Sequence, residues 1–166
     1  MAVPPRCSAL EKAMRILSVS AKTGHELKEK LLQSGYGPTE AESAVEECIK
    51  RGYINDALFA ADFTEANLSR GSGCRKIRQK LLRRGIDREL VAQTLEECSS
   101  SEPESARQAL MFKWKSLSRE KDPYKKRAKA FRFLAGRGYP PALISELIEE
   151  ISRSGEDFPE NETEIL

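Results

Sequence analysis

Apolar residues recur along most of the chain at spacings of three and four positions. This spacing is typical of α-helices that bury one face, whereas the alternating runs that would indicate strands are nearly absent. Three of the helical segments run up to a glycine, at Gly35, Gly85 and Gly138, which lie 50 and 53 residues apart. The pattern therefore predicts an all-α protein whose helices follow a regular period.

The residues around these three glycines match one another. Four positions before each glycine stands a leucine, at Leu31, Leu81 and Leu134. Ten positions after each glycine begins one of three similar phrases, Val45-Glu46-Glu47-Cys48, Leu95-Glu96-Glu97-Cys98 and Ile148-Glu149-Glu150-Ile151. We infer that the chain repeats one unit of roughly 50 residues three times.

Each unit is predicted to hold three helices in a helix-turn-helix-like arrangement. The central helix ends at the anchor glycine, which suits a left-handed residue after a helix. The helices that follow are predicted to open at the caps Gly37, Asp87 and Pro140, with Pro38 and Pro141 as first helical residues. The helices that precede the central ones are predicted at about 9–19, 56–69 and 103–117.

The predicted domain organisation is three tandem repeats at residues 1–52, 53–102 and 103–152, followed by an acidic disordered tail at 153–166. The tail contains five acidic residues and few apolar ones, a composition typical of disorder. Because units of this size are marginally stable alone, we expect neighbouring repeats to pack into an elongated array.

The chain lacks the sequence features of a membrane or secreted protein. No stretch is long and apolar enough to cross a membrane, and residues 1–6 lack the apolar core of a secretory signal. We therefore expect a soluble, cytoplasmic protein.

The cysteines do not have the spacing of a metal site. Cys7, Cys48, Cys74 and Cys98 form no CxxC pair, and His25 is the single histidine. We expect reduced thiols, with Cys48 and Cys98 on core-facing helix positions and His25 exposed in the first turn of a helix.

The charge of the chain is nearly balanced but unevenly distributed. Lys and Arg number 28 against 26 Asp and Glu, yet residues 70–88 and 113–137 hold 18 of the basic residues and only three acidic ones. Such stretches form an electrostatic footprint for phosphates or an acidic protein groove, or they are merely solvated helix faces. We favour binding, and the candidate contact residues are Arg75, Lys76, Lys80, Arg83, Arg84, Lys125, Lys126, Lys129, Arg132 and Arg137.

Two aromatic residues, Trp114 and Phe133, lie among these charges. Their rings are able to stack on the bases of a single strand. A tryptophan in a helical segment such as 110–114 more often packs against other helices, and packing is the interpretation we favour here.

The sequence contains no pattern typical of a catalytic site. A P-loop is absent, and His25 has no evident serine and aspartate partners. The Glu-Glu pairs recur with the repeats and are adjacent on a helix, so their carboxylates do not face each other as an acid/base pair would. We expect no enzymatic activity, no metal and no cofactor.

Several segments resemble the RecX family. Residues 52–60, GYINDALFA, resemble its signature G-Y-[IL]-[DN]-D-x-x-F-A, and residues 73–77 and 133–139 resemble its second and third repeats. The resemblance covers about residues 9–152. Where the family usually has Arg-Ser and often Gly-Pro, this chain has Lys22-Thr23 and Gly73-Cys74.

The resemblance implies a cytoplasmic regulator of the RecA recombinase, built from three tandem three-helix repeats. We expect a monomer, because no segment of the sequence marks a dimer seam. Such a protein binds in the groove of the RecA–single-stranded DNA filament and suppresses ATPase, strand exchange and coprotease activity. That role belongs to homologous recombination, DNA repair and the SOS response, and it carries over no catalytic residue. The alternatives from the residues alone are a direct DNA-binding, helix-turn-helix-like regulator and a general protein-interaction scaffold.

Overall fold

The computed structural model describes residues 7–154, without the side chains of Glu97, Cys98 and Ser154. Within that range the chain forms α-helices and no strand, which confirms the prediction of an all-α protein of tandem three-helix repeats. One short 3₁₀ turn, Ser99–Ser101, precedes α7. The nine helices described are α1 Ala9–Val19, α2 Gly24–Gln33, α3 Pro38–Lys50, α4 Asp56–Ser69, α5 Cys74–Arg83, α6 Arg88–Cys98, α7 Glu102–Ser116, α8 Pro123–Arg137 and α9 Pro141–Ser154.

The anchor glycines end the central helices α2, α5 and α8 as predicted. Gly35, Gly85 and Gly138 have φ angles of 90°, 75° and 91°, which a residue with a Cβ rarely adopts. The backbone N–H that follows each glycine donates to the carbonyl of the leucine five positions earlier, as in a Schellman motif. The three bonds join Tyr36 to Leu31, Ile86 to Leu81 and Tyr139 to Leu134, at 3.2, 3.2 and 3.3 Å.

The predicted helix starts are also confirmed. Gly37 is the N-cap of α3 and Pro38 its first residue, and Pro141 is the first residue of α9. The carboxylate of Asp87 accepts from the Glu89 N–H at 2.8 Å and so caps α6. Of the three first helices, two have the predicted limits, and α7 begins and ends one residue earlier than predicted.

One compact unit, which we call unit 1, comprises the described residues 7–66 and 78–97. In its first repeat, α1 and α2 pack against α3 around fully buried side chains that include Ala13, Leu27, Leu31 and Cys48. Burial raises the pKa of the Cys48 thiol, so this cysteine is protonated and packs as an apolar group. Its predicted core position is confirmed.

A second compact unit, unit 2, comprises the described residues 67–77 and 98–154. Its core joins α7, α8 and α9, with Leu110, Leu134 and Ile144 fully buried. Trp114 and Phe133 are partly buried and pack against this core, which confirms packing as their structural role.

The two units do not follow the repeat boundaries. Helices α4 and α5 each contribute residues to both units, so the second repeat is divided between them. The boundaries 1–52, 53–102 and 103–152 stay predictions. Helix α9 runs to Ser154, and the rest of the predicted acidic tail lies outside the described residues, as does the side chain of Cys98.

Candidate functional site

Arg84, a candidate contact residue in unit 1, is held in place by aromatic rings and a carboxylate. Phe59 and Phe63 are one turn apart on α4 and their rings stack, with centroids 6.0 Å apart. The Arg84 guanidinium carbon lies 5.3 and 5.0 Å from the two ring centroids, and one of its nitrogens lies 3.3 Å from Glu26. Lys80 places its ammonium 5.9 Å from the Phe63 ring. Cation–π contacts and an ion pair therefore fix the direction of Arg84.

The backbone of Arg84 is held as firmly as its side chain. The hydroxyl of buried Thr23 donates to the Arg84 carbonyl oxygen at 2.6 Å and accepts from the Glu26 N–H at 3.1 Å. The next residue, Gly24, donates its N–H to the Asp56 carboxylate at 3.0 Å. The start of α2 thus bonds both to the end of α5 and to the first residue of α4. We call these contacts the first junction.

His25 is exposed in the first turn of α2, as predicted, but its side chain has a neighbour that the sequence did not indicate. A Cβ on Gly85 would lie 2.3 Å from the Cβ of His25. Gly85 therefore serves both the left-handed turn after α5 and the close approach of α2.

Arg137, a candidate residue in unit 2, is fixed in a similar way. Its Nη1 donates to the carbonyl oxygens of Arg70 and Gly71 at 2.8 and 2.9 Å. Its guanidinium carbon lies 4.5 Å from the centroid of the Phe133 ring, and the Lys113 ammonium lies 5.3 Å from the same centroid. The Phe133 ring therefore makes cation–π contacts with side chains from two different helices, α7 and α8.

The start of α5 repeats, in unit 2, the contacts seen at the start of α2. The N–H of Gly73 donates to the Arg137 carbonyl oxygen at 2.9 Å, and the N–H of Cys74 donates to the Glu102 carboxylate at 2.7 Å. The ammonium of Lys76 reaches the Gly136 carbonyl oxygen at 3.2 Å. We call these contacts the second junction.

The two junctions share one design. In each, the start of a central helix binds a carboxylate from the first residue of a later helix, Asp56 or Glu102. In each, it also binds the carbonyl of the arginine that precedes an anchor glycine, Arg84 or Arg137. Both arginines were among the candidates because they lie in basic stretches, but the hydrogen bonds of the junctions were not predicted from the sequence. A sequence signal was available, because both residues stand in an Arg-Gly pair at the same place in the repeat.

The basic residues of α8 that the sequence singled out also have partners within unit 2. Lys126 lies 4.4 Å from the Trp114 ring centroid. Lys129 pairs with Glu120, and this hydrogen bond lowers the pKa of the Glu120 carboxyl. The remaining partners are Asp122 for Lys125 and the Ala128 carbonyl for Arg132.

Two candidates differ from the rest because their charges point to solvent without a partner. Arg75 and Arg83 of α5 are exposed, and no hydrogen bond or ion pair holds either guanidinium among residues 7–154. The apolar positions of the same helix, Ile77 and Leu81, are fully buried. Two further arginines, Arg78 of α5 and Arg127 of α8, are also exposed and were not among the residues predicted from the sequence.

A cleft of about 220 Å³ lies beside Arg137 in unit 2. Its walls include Gln108, Phe112, Phe133 and the backbone of Arg70 and Gly71. Phe112 is 76% exposed although it is large and apolar. An exposed aromatic ring can stack on a flat group, and a fixed guanidinium beside it can bind an anion. The cleft therefore has the chemistry of a binding surface.

The described part of the chain contains neither a metal-ligating cluster nor a disulfide. No group of three or more His, Cys, Asp or Glu residues among residues 7–154 is placed to hold a metal ion. The sulfurs of Cys7, Cys48 and Cys74 are not joined in disulfides. None of the described helices is long and apolar enough to cross a membrane.

Family models match each repeat in turn. The first, second and third three-helix domains of RecX match residues 9–48, 55–95 and 101–148. The chain belongs to the RecX family. Similar curated proteins carry the name "Regulatory protein RecX". One, from Deinococcus radiodurans, is 36% identical over 96% of this chain and 74% of its own length, and one from Legionella pneumophila is 31% identical over 88% and 96%.

Solved RecX structures share the fold. The crystal structure of RecX from Lactobacillus salivarius superposes with a TM-score of 0.77 at 20% identity, over 87% of this chain and 95% of that one. A second crystal structure, of a regulatory protein RecX, gives 0.74 at 18% identity over 86% and 70%. The arrangement of helices is therefore that of the RecX family.

Proposed function

We propose that this chain regulates the RecA recombinase by binding in the groove of the RecA–single-stranded DNA filament. Its effect is mainly to suppress ATPase, strand exchange and coprotease activity. Membership of the RecX family, whose curated members are named regulatory proteins, supports a regulatory role. A regulator of RecA acts in the cytoplasm, in recombination, DNA repair and the SOS response.

The structural observation that carries the proposal is the solvent-facing charge of α5. Arg75 and Arg83 project from a helix that is anchored by the fully buried Ile77 and Leu81, so the helix is fixed while the two charges face solvent. Phosphates of a nucleic acid and acidic side chains of a protein both attract such groups over several ångströms. This attraction reads charge and not base sequence, which suits a protein that acts on filaments along any DNA.

The junction arginines contribute in another way. Arg84 and Arg137 use part of their donors and ring contacts inside the protein. An arginine has five N–H donors, so each keeps donors for an outside partner while its direction is already set. A side chain that is already ordered loses little rotamer entropy on binding. We expect these two residues to add affinity chiefly through this ordering.

The experiment that tests the proposal is RecA ATPase on single-stranded DNA, titrated with this protein from far below to equal stoichiometry. Inhibition well below one copy per RecA protomer supports filament regulation. No inhibition at equal stoichiometry overturns it. Salt-sensitive binding to naked DNA together with no effect on RecA would instead favour the direct DNA-binding alternative.

A further inference from the structure

Helices α8 and α9 leave an open groove of about 500 Å³ between them. Its α8 side follows one stripe of the helix, at positions 124, 127, 128, 131 and 132, and its α9 side follows positions 145, 148 and 149. Tyr124 at one end is 80% exposed although its ring is large. The lining that matters for binding is Tyr124, Arg127, Phe131, Arg132, Ile148 and Glu149.

The groove combines an apolar floor with two arginines, Arg127 and Arg132, that have no ion-pair partner in the described part of the chain. Phe131 and Ile148 supply the floor, and Arg127 and Arg132 stand on the α8 edge. The Glu149 carboxylate is 2.9 Å from the Arg153 guanidinium, so its charge is matched by a cation on its own helix. The chemistry that fits is an acidic peptide with an apolar anchor residue.

The groove is open next to the point where α9 ends. Arg127 bonds to Ser152 at 3.1 Å, and Ser152 lies two residues before the last residue of α9. From there to position 145 the helix runs about 14 Å, at 1.5 Å per residue. Residues 155–166, which follow, would span up to about 40 Å when extended, so they can run back along the whole groove.

Residues 155–166, the acidic segment, have the matching chemistry. They contain five acidic residues and no basic one, with Glu156 and Asp157 directly before Phe158. Phe158 is four residues beyond Ser154, a reach of about 13 Å that suffices for the apolar floor. In this register Glu156 and Asp157 pass close to Arg127.

We propose that the acidic segment binds in the α8–α9 groove of its own chain, with Phe158 on the apolar floor and its carboxylates beside Arg127 and Arg132. Tethering gives the segment an effective concentration in the millimolar range. Even an affinity of about 0.1 mM as a free peptide would then keep the groove mostly filled. The Phe158 ring provides the apolar contact by packing on Phe131 and Ile148. The attraction between the carboxylates of the segment and the two arginines sets the direction in which the segment lies.

A bound acidic segment has a consequence that rests on the proposed function. It would place carboxylates along the basic α8 surface and compete there with an anionic partner. While the segment occupies the groove, the affinity of the protein for an anionic partner would be lower than the number of its arginines implies. The binding of the segment is itself measurable without RecA or DNA, so its failure and the failure of the proposed function are distinct results.

The test is ¹⁵N relaxation of the full-length chain at two protein concentrations. We expect backbone order parameters of about 0.8 for residues 156–158, against values below about 0.6 for a free segment. The double variant Arg127→Glu/Arg132→Glu should release the segment to the lower value, and so should Phe158→Ala. Adding Glu156→Lys/Asp157→Lys to the double variant should restore the order.

The control is Lys115→Glu/Arg119→Glu, which makes the same change in net charge at exposed positions that do not line the groove. It should leave the order of residues 156–158 unchanged. Order parameters below 0.6 in the unmodified chain overturn the proposal, and so does order that survives the groove variants. Order that appears only at the higher concentration also overturns it, since a second copy would then fill the groove.

Discussion

The buried hydroxyl of Thr23 donates a hydrogen bond of 2.6 Å to the carbonyl of Arg84, which follows 61 residues later in the chain. The same hydroxyl accepts from the N–H of Glu26 and so caps its own helix. One side chain thereby closes the start of α2 and the end of α5 together.

Thr23→Val should destabilise the fold by about 1–3 kcal/mol, because it leaves a buried carbonyl and a helix N–H without their partner. The change keeps the shape of the side chain, so lost hydrogen bonds dominate the effect. The shift of the urea unfolding midpoint at constant slope measures it.

Thr64→Val is the matched control. Thr64 is also fully buried, but its hydroxyl finds no hydrogen-bond partner among the described residues. Removing it should leave stability unchanged or raise it by about 1 kcal/mol. Equal losses in the two variants would contradict the role assigned to Thr23.

Gly73→Ala should destabilise the second junction by about 1–3 kcal/mol. A Cβ at this position would lie 2.6 Å from the backbone carbon and oxygen of Gly138, and backbone cannot swing aside as a side chain does. Urea unfolding measures the loss.

Gly136→Ala, on α8, is the control for that variant. A Cβ there meets no atom of the described chain within 4 Å, and alanine favours a helix by up to about 1 kcal/mol over glycine. We expect equal or greater stability. A destabilised Gly136→Ala chain would show that the loss at position 73 does not come from the close backbone contact.

Tyr36→Phe should remove a titration step at high pH. The Tyr36 hydroxyl donates to the Cys7 carbonyl at 2.8 Å and contacts the Cys7 sulfur at 3.4 Å. The hydrogen bond with Cys7, followed by burial, raises the pKa of Tyr36 to about 12. Because this pKa lies above the unfolded value of about 10, the contribution to stability is complete below pH 10 and is lost as the pH rises toward 12.

Ultraviolet absorbance of tyrosinate follows that titration directly. The difference between the unmodified chain and Tyr36→Phe should be a single step near pH 12. Tyr53→Phe, at a half-exposed position of the same unit, should leave this late step in place. A Tyr36 step near pH 10 would show that its hydrogen bond does not hold the proton in solution.

Arg75→Glu/Arg83→Glu should weaken inhibition of RecA ATPase, raising the concentration for half inhibition on the order of tenfold. Both side chains are exposed and unpaired within the described range, so the fold should stay intact. Circular dichroism checks the helix content. Lys30→Glu/Lys50→Glu changes the net charge equally on exposed positions of the first repeat and should have little effect. Equal effects of the two pairs would mean that only total charge matters.

The repeats and helix limits were predictable because they depend on neighbours close in sequence. A leucine four positions before a glycine, as at Leu31, Leu81 and Leu134, indicates two things. The leucine is buried, and the helix ends just before the glycine. Periodicity and turn chemistry therefore gave nearly all of the helices before any contact was known.

The candidate site was less predictable, because charge counts do not show where a partner lies. Arg84 and Arg137 belonged to the basic stretches, yet their partners Glu26 and Arg70 are far away along the chain. The sequence gives no distance between such residues. The sequence therefore marked a basic segment as a candidate, which stays a prediction, but it did not separate the solvent-facing arginines from the structural ones.

The start of α8 differs from the starts of α2 and α5 in the hydrogen bonds that it can form. Its first residue is Pro123, which has no N–H to give to a carboxylate as Gly24 and Cys74 do. Asp122 caps the helix by accepting from the Tyr124 N–H at 2.9 Å, and its own N–H donates to Glu120 within the same unit at 3.3 Å. The start of α8 therefore closes its first turn with residues of its own repeat, whereas the starts of α2 and α5 close theirs with residues that follow 32 and 28 positions later.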